Sequence, residues 1–203
     1  YGVRPSDVHW STGGLESSER KEKVALTLPP EIKIEKIAPG QTLSDMLVSG
    51  AIDALITAQV PVPFVKRVAE VKRLFANPRE VEAEHFKRTG IFPIMHVMIL
   101  REAFYKQHPW VAQSLYKALV EAKEHCIDAI FKNDAIHSVL PWAGPHAEEV
   151  RKLMGQDFWP YGVAANHKTL ETFLRYCFEQ GLIARKLDVE EIFLKETTET
   201  FKV

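Results

Sequence analysis

The fold is decided by residues 32–57, which read IKIEKIAPGQTLSDMLVSGAIDALIT. The first six of these residues alternate apolar and charged side chains, which is the period of a half-exposed strand. Thr42, with Asp45 three residues later, is typical of a helix start, and Gly50 is typical of a helix end. Residues 52–56 are mostly apolar, as expected of a buried strand. The stretch therefore predicts a strand–helix–strand unit, a connection that favours a parallel sheet.

The segments on either side of this unit extend the same pattern. Strands are predicted near residues 8–10, 71–75 and 94–100. The helices predicted from apolar periodicity and from terminal residues cover residues 78–88, 109–131, 146–154 and 166–180, the last with Asn166 as N-cap and Gly181 just after its end. The layout is α/β first and mainly helical afterwards, which suits a protein of two lobes.

Composition excludes several classes of partner. The chain has 203 residues, 46% of them hydrophobic, and a net charge of -1. This charge gives no general attraction to nucleic acid or to an anionic membrane, and no run approaches the roughly 20 apolar residues of a membrane span. Cys126 and Cys177 fall on apolar stripes of predicted helices, so we expect two buried free thiols. No Cys or His spacing indicates structural zinc.

The start of the chain also carries an expectation. Tyr1-Gly2-Val3-Arg4-Pro5 has no initiator Met, no basic region and no apolar leader. We therefore expect the sequence to be part of a longer protein.

Polar residues that follow predicted strands are candidates for ligand binding, because ligands of open α/β sheets sit beyond the carboxyl ends of the strands. A Ser-Thr-Gly-Gly loop can direct hydroxyls and backbone N–H groups at a carboxylate, although a plain turn is the alternative. The candidates chosen by this rule are Ser11, Thr12, Gly13, Gly14, Thr57 and Gln59.

Further candidates come from residue chemistry. His96 interrupts an apolar predicted strand, where a polar side chain needs a partner; a cleft role and a structural role are both open. Trp159 and Tyr161 lie in a short aromatic loop that either stacks on an aromatic ligand or plugs a gap between helices. Arginines bind carboxylates bidentately, and the candidates are Arg73, Arg88, Arg101 and Arg185. No helical metal-site spacing, P-loop or Ser-His-Asp signature occurs.

Several segments together carry a resemblance to a known family. They are Tyr1-Gly2-Val3 with Gly13-Gly14, the Gly-x-Ile-Asp-Ala-Leu run at 50–55, Arg73-Leu74-Phe75, the TGIFPIMH run at 89–96, His108-Pro109-Trp110-Val111, Leu140-Pro141-Trp142 and the MGQDFWPYG run at 154–162. With these segments the chain resembles the 4,5-dihydroxyphthalate decarboxylase-like family from its first residue to its last.

The resemblance implies a type II periplasmic-binding-protein-like α/β fold, with a parallel or mixed sheet lobe followed by C-terminal helices. It implies that residues 1–95 form the α/β second lobe. Residues 96–203 would then supply a crossover strand and a mainly helical return segment, and the family's first lobe would precede this chain. The strand of His96 would cross back between the lobes, past the cleft.

The resemblance also implies a function in aromatic catabolism, the non-oxidative decarboxylation of a dihydroxylated phthalate to protocatechuate. Family members need no electron-sink cofactor, so none is expected; a divalent metal is left open. His96 would be the general acid, and residues 11–14 would form part of an anion cradle. The ligand would be a small aromatic carboxylate, and the protein would be cytoplasmic. Whether it forms a homo-oligomer is left open.

Two alternatives remain open from the sequence. One is a non-catalytic solute-binding protein of an ABC-type transporter, since the same fold carries receptors. An upstream secretion signal would favour this alternative and a periplasmic location. The other is a fragment that has no activity by itself.

Overall fold

The computed structural model of the chain describes residues 2–18, 27–132 and 139–198. Within these ranges the chain is mixed α/β, with far more helix than strand. In chain order the elements are a 3₁₀ turn at Pro5–Asp7, β1 (Trp10–Thr12), β2 (Ile34–Lys36), α1 (Leu43–Ser49), α2 (Val62–Val65), α3 (Pro78–Thr89), α4 (Glu102–Gln107), α5 (Trp110–Phe131), α6 (Ala143–Met154), α7 (Val163–Glu179), α8 (Val189–Ile192) and α9 (Lys195–Thr198).

The chain divides into two compact units. The first unit comprises Tyr1–Pro78 and Cys177–Ala184, and the second comprises Arg79–Tyr176 and Arg185–Val203. The predicted division between residues 95 and 96 refers to the lobes of a family fold and stays a prediction.

The first unit contains a small parallel sheet. Strand β1 pairs with β2, and Ser11 lies opposite Glu35 in the register. Helix α1 begins as the sequence predicts: Thr42 is its N-cap, and the Thr42 hydroxyl oxygen accepts a hydrogen bond from the Asp45 N–H at 3.1 Å. It ends at Gly50, whose φ of 73° suits a residue without a side chain. The capped helix of the decisive stretch is therefore confirmed, and the sheet of the first unit is parallel, although its second strand lies outside that stretch.

Three predicted strands are absent from the described residues. Residues 52–56, 71–75 and 94–100 form no strand, and β1 begins at Trp10 where the sequence predicted a strand over residues 8–10. The predicted strand–helix–strand unit is therefore wrong, because the parallel partner of β2 is β1. An apolar run becomes a strand only where another strand pairs with its N–H and C=O groups. No described segment pairs with these runs, and Ile56 is 85% exposed.

The long helices of the second unit follow the sequence closely. Helix α5 begins one residue after the predicted start and ends at Phe131 as predicted, and α3 extends the predicted helix by a single residue. Helix α7 begins at Val163, so Asn166 lies inside its first turn and is not the N-cap as predicted. Gly181, with φ of 73°, follows the helix end as expected.

The core of the second unit lies between α7 and the segment around α8. Buried Val163, Leu170 and Leu174 of α7 pack with buried Val189, and Leu187 and Phe193 pack against this cluster. The apolar positions of α7 recur at three- and four-residue intervals, so one face of the helix is buried.

The two cysteines differ in environment. Cys177 is buried as predicted, whereas Cys126 is exposed, which corrects the expectation of two buried thiols. Cys126 lies on the predicted apolar face of α5, but the described residues do not cover that position. Periodicity indicates which residues share a face, and it does not tell how wide the covered part of that face is.

One ion pair near the core gives a pH-dependent prediction. The Arg185 guanidinium and the Asp188 N–H hydrogen-bond the Glu191 carboxylate and lower its pKa to about 2. Because the folded-state pKa lies below the unfolded one, this stabilisation is present above the unfolded pKa. It is lost as the pH falls toward 2.

We therefore expect Glu191→Gln to lower the thermal unfolding midpoint by a small amount at pH 7, since both side chains are partly exposed. The difference from the wild type should shrink as the pH falls through the acid range. Differential scanning calorimetry from pH 7 to pH 3 measures this, with Glu171→Gln at an exposed position of α7 as control. A midpoint difference that does not depend on pH would contradict the assignment.

Candidate functional site

The second unit contains a large cavity of about 850 Å³. Its walls come from the segment 90–100, from helices α4 and α5, from the connection between α6 and α7, and from the segment around α9. Most lining side chains are apolar or aromatic. A cavity of this size and lining is typical of sites for small organic ligands.

His96 lines this cavity. Its side chain is exposed, and no hydrogen bond or ion pair to it occurs among the described residues. His96 lies in no strand, so the expectation that it interrupts an apolar strand and therefore needs a polar partner is wrong. The neighbouring side chains, Met95 and Val97, are also exposed and line the same cavity. An imidazole that is accessible and uncommitted can exchange a proton with a bound ligand.

Three other titratable groups of the lining, Glu102, Tyr105 and Asp157, are engaged with other side chains. Glu102 forms an ion pair with Lys106 at 2.6 Å. The Tyr105 hydroxyl donates to the Glu196 carboxylate at 2.9 Å, which raises the pKa of Tyr105. The backbone N–H of Glu196 itself and the Tyr105 hydroxyl lower the pKa of the Glu196 carboxyl. Because the Tyr105 proton is committed to a carboxylate, Tyr105 is a weak proton donor to a ligand.

An aromatic loop connects α6 to α7 and contributes Trp159 and Tyr161 to the cavity wall. We use this name for residues 157–162. Trp159 is 47% exposed and Tyr161 is 38% exposed, so neither ring is a buried plug between helices. The Trp159 ring lies 5.8 Å from the Phe92 ring at an angle of 60°. The Trp159 and Tyr161 rings are therefore available to contact a ligand in the cavity.

The Ser-Thr-Gly-Gly loop lies in the first unit, at the end of β1. The Thr12 and Gly14 carbonyls accept hydrogen bonds from the N–H groups of Ile37 and Leu43, at 3.1 and 3.0 Å. A Cβ atom at Gly13 would lie 2.3 Å from Ile37 Cδ1, so the glycine permits close packing. These contacts attach the loop to the residue that follows β2 and to the first turn of α1.

The remaining first-unit candidates lie on an exposed turn. The Thr57 hydroxyl oxygen accepts a hydrogen bond from the Gln59 N–H at 3.2 Å. The substrate-binding roles predicted for Ser11, Thr12, Gly13, Gly14, Thr57 and Gln59 stay predictions.

Side-chain contacts are described for three of the four candidate arginines, and Arg101 is not among them. The Arg73 guanidinium lies 5.2 Å from the Phe64 ring centre, Arg88 contacts the His85 ring at 3.3 Å, and Arg185 pairs with Glu191. Neither Arg nor Lys occurs among the lining residues in the part of the chain that the structure describes. His96 is thus the one lining side chain there that can become a cation.

Membrane-spanning helices and metal-binding clusters are both absent from the described ranges. No helix in them is long and apolar enough to cross a membrane. No group of three or more His, Cys, Asp or Glu side chains there is arranged to hold a metal ion.

Comparison with known proteins gives two informative similarities. The chain is 36% identical, over all 203 residues, to a 4,5-dihydroxyphthalate decarboxylase of Comamonas testosteroni, of whose length it covers 62%. The similarity to this decarboxylase therefore extends along the whole chain, which spans less than two thirds of that relative's length. A 4,5-dihydroxyphthalate decarboxylase of Pseudomonas putida is 34% identical over 87 residues, which are 43% of the chain and 34% of that protein. No protein-family model matches the chain.

The cavity and its surroundings contain residues that sequence reasoning missed. Tyr105 and Tyr116 line the cavity. Lys123 and Asn166 each donate a hydrogen bond to the aromatic loop, Lys123 to Asp157 and Asn166 to the Pro160 carbonyl oxygen. Tyr105 and Lys123 meet partners 91 and 34 residues away in the chain, so no local motif indicates them. Asn166 differs, because its contacts reach only six and four residues back along the chain and so are local in the sequence.

Proposed function

We propose that the intact protein is a 4,5-dihydroxyphthalate decarboxylase, which releases CO₂ from one carboxylate and leaves protocatechuate. The observation that supports this most is the 36% identity to a decarboxylase of that name along the entire chain. The chain spans 62% of the length of that relative, so the activity is proposed for the whole protein.

The reaction requires a proton at the carbon that loses CO₂. A ring hydroxyl para to the departing carboxylate supplies electrons as its O–H proton leaves. The carbon bearing the carboxylate then takes up a proton and becomes tetrahedral. When the C–C bond breaks, CO₂ departs, the bonding electrons restore the aromatic ring, and the oxygen regains its proton. The net reaction consumes one proton and needs no oxidant or reductant.

His96 is the proposed general acid for this step. Imidazole is the side chain best suited to proton transfer near neutral pH. The support within the second unit is that His96 lines the cavity, is exposed and has no described polar partner, whereas Glu102, Tyr105 and Asp157 are engaged. Trp159 and Tyr161 are the proposed contacts of the substrate ring.

The carboxylate that stays on the ring also needs partners. The described cavity lining offers no Arg or Lys for it. Ser11, Thr12, Gly13, Gly14, Thr57 and Gln59 remain proposed substrate-binding residues, supported by their hydroxyl, amide and glycine composition. A type II periplasmic-binding-protein fold, a cytoplasmic location and the absence of a required cofactor are proposed on the resemblance alone.

The test is a decarboxylation assay on the intact protein with 4,5-dihydroxyphthalate. We expect CO₂ release together with the ultraviolet absorbance change of protocatechuate formation, measured with and without added divalent metal. Boiled protein and unsubstituted phthalate are the controls, because phthalate has no ring hydroxyl para to a carboxylate. Thermal stabilisation by 4,5-dihydroxyphthalate without turnover would replace the proposal by a solute-binding role. Neither turnover nor stabilisation would reject this substrate.

A further inference from the structure

We propose that Lys123 is a positioning residue, which holds the aromatic loop so that Trp159 and Tyr161 form a fixed stacking surface for an aromatic carboxylate. This inference rests on the proposed function, since it names the part of the same site that fixes the ring. Lys123 does not line the cavity, and we assign it no contact with the reacting atoms.

Lys123 is an unusual lysine because its side chain is only 9% exposed. Its Nζ donates to Asp157 Oδ1 at 2.9 Å and lies 5.5 Å from the centre of the Tyr161 ring. A cation shielded from water is costly unless it is paired. Both described partners of the Lys123 ammonium belong to the aromatic loop, so a displaced loop would leave this charge without them.

Other contacts fasten the loop at its far end. Asn166 Nδ2 donates to the carbonyl oxygens of Pro160 and Gly162, each at 2.8 Å. A Cβ atom at Gly162 would lie 2.7 Å from the Tyr116 hydroxyl, so that hydroxyl fits closely against the bare backbone. The loop is therefore attached to α5 through Lys123 and to α7 through Asn166, and it packs closely against Tyr116 of α5.

This fastening has a consequence for binding. Trp159 and Tyr161 remain well exposed although the backbone that carries them is held on two sides. Burial of the rings therefore does not explain why the loop needs such attachment. When the loop is already held, the two aromatic side chains lose less conformational entropy on ligand binding, and the affinity is higher. Loss of the fastening should accordingly weaken ligand binding more than it slows proton transfer from His96.

The test compares Lys123→Met with the wild type in the intact protein. Methionine keeps an unbranched side chain of similar length and removes the charge. We expect KM for 4,5-dihydroxyphthalate and Kd for protocatechuate to rise roughly tenfold, because ligand binding must then also immobilise about one side chain. We expect kcat to change far less. Kd is read from quenching of Trp fluorescence, with Trp159→Phe identifying the share of Trp159.

Three variants separate positioning from general destabilisation. Lys123→Arg keeps a charge that can reach Asp157 and the Tyr161 ring, so it should restore most of the affinity. Asp157→Asn should weaken binding in the same direction, and its effect should not add to that of Lys123→Met. Lys117→Met changes an exposed lysine of the same helix and should leave KM and Kd unchanged.

The outcomes distinguish this inference from the proposed function. Turnover by the wild type with unchanged KM and Kd in Lys123→Met would overturn the inference and leave the function standing. Binding that depends on Lys123, without turnover, would uphold the inference and reject the decarboxylase activity. If Lys123→Met does not fold, Asp157→Asn decides, because its side chain is half exposed. Binding of neither compound by the wild type would overturn both.

Discussion

Replacing His96 with glutamine is expected to lower kcat for decarboxylation by roughly 10²- to 10⁴-fold, the usual contribution of a positioned general acid. Glutamine retains a polar side chain of similar reach but has no proton to give at neutral pH. Because the described Glu102, Tyr105 and Asp157 are each committed to another side chain, they offer no ready substitute. Steady-state kinetics of CO₂ release on the intact protein measures the effect.

The substitution should act on the chemical step and leave binding largely intact. Kd for protocatechuate should therefore stay within a few-fold of the wild type, and the part of the kcat–pH profile that reports the protonated acid should disappear. His125→Gln is the control, since His125 is an exposed histidine on α5 outside the cavity lining. Full turnover by His96→Gln would remove the assignment of His96 as the acid.

The helices of the second unit were predictable because the information that forms them is local. Helix α5 needs 22 residues of helical periodicity, and its sequence supplies them without reference to the rest of the chain. The same holds for the cap of α1, where Thr42 and Asp45 are three residues apart. Where both the signal and the contact lie within one turn, prediction from sequence succeeds.

The strands were less predictable because a strand depends on a partner elsewhere in the chain. Residues 94–100 have the strongest strand composition of the chain, yet Ile99 is 81% exposed and no described segment pairs with it. Strand β2, with its alternating pattern, does form, because β1 lies alongside it. Composition indicates which segments are able to pair, and it does not supply the partner.

The candidate site shows the same division between local and distant information. His96, Trp159 and Tyr161 were chosen from residue chemistry and from the resemblance, and the structure brings all three to one cavity. The contacts of Lys123 and Tyr105 join positions far apart in the chain, so they required coordinates. Reactive and aromatic side chains are visible in a sequence, whereas the residues that hold them are visible only in the fold.

Replacing Leu174 with alanine is expected to destabilise the second unit by about 2–5 kcal/mol, the usual cost of removing a buried leucine side chain. Leu174 is buried in α7 and packs with Val163, Leu170 and Val189. Alanine removes apolar contacts and leaves a cavity that the surrounding helices fill only in part. Urea unfolding followed by circular dichroism measures the change as a lower midpoint at an unchanged slope.

Phe173→Ala is the matched control for this substitution, because Phe173 is the preceding residue of the same helix and is 60% exposed. It removes a larger side chain, so a stability loss that followed side-chain size alone would be greater at Phe173. Because burial governs the cost, we expect Phe173→Ala to change stability by only about 0.5 kcal/mol. Equal losses at the two positions would mean that the Phe173 face of α7 is also covered in the intact protein.

Leu174 does not line the cavity although Leu170 does. Leu174→Ala should therefore lower stability while the folded protein keeps its affinity for protocatechuate.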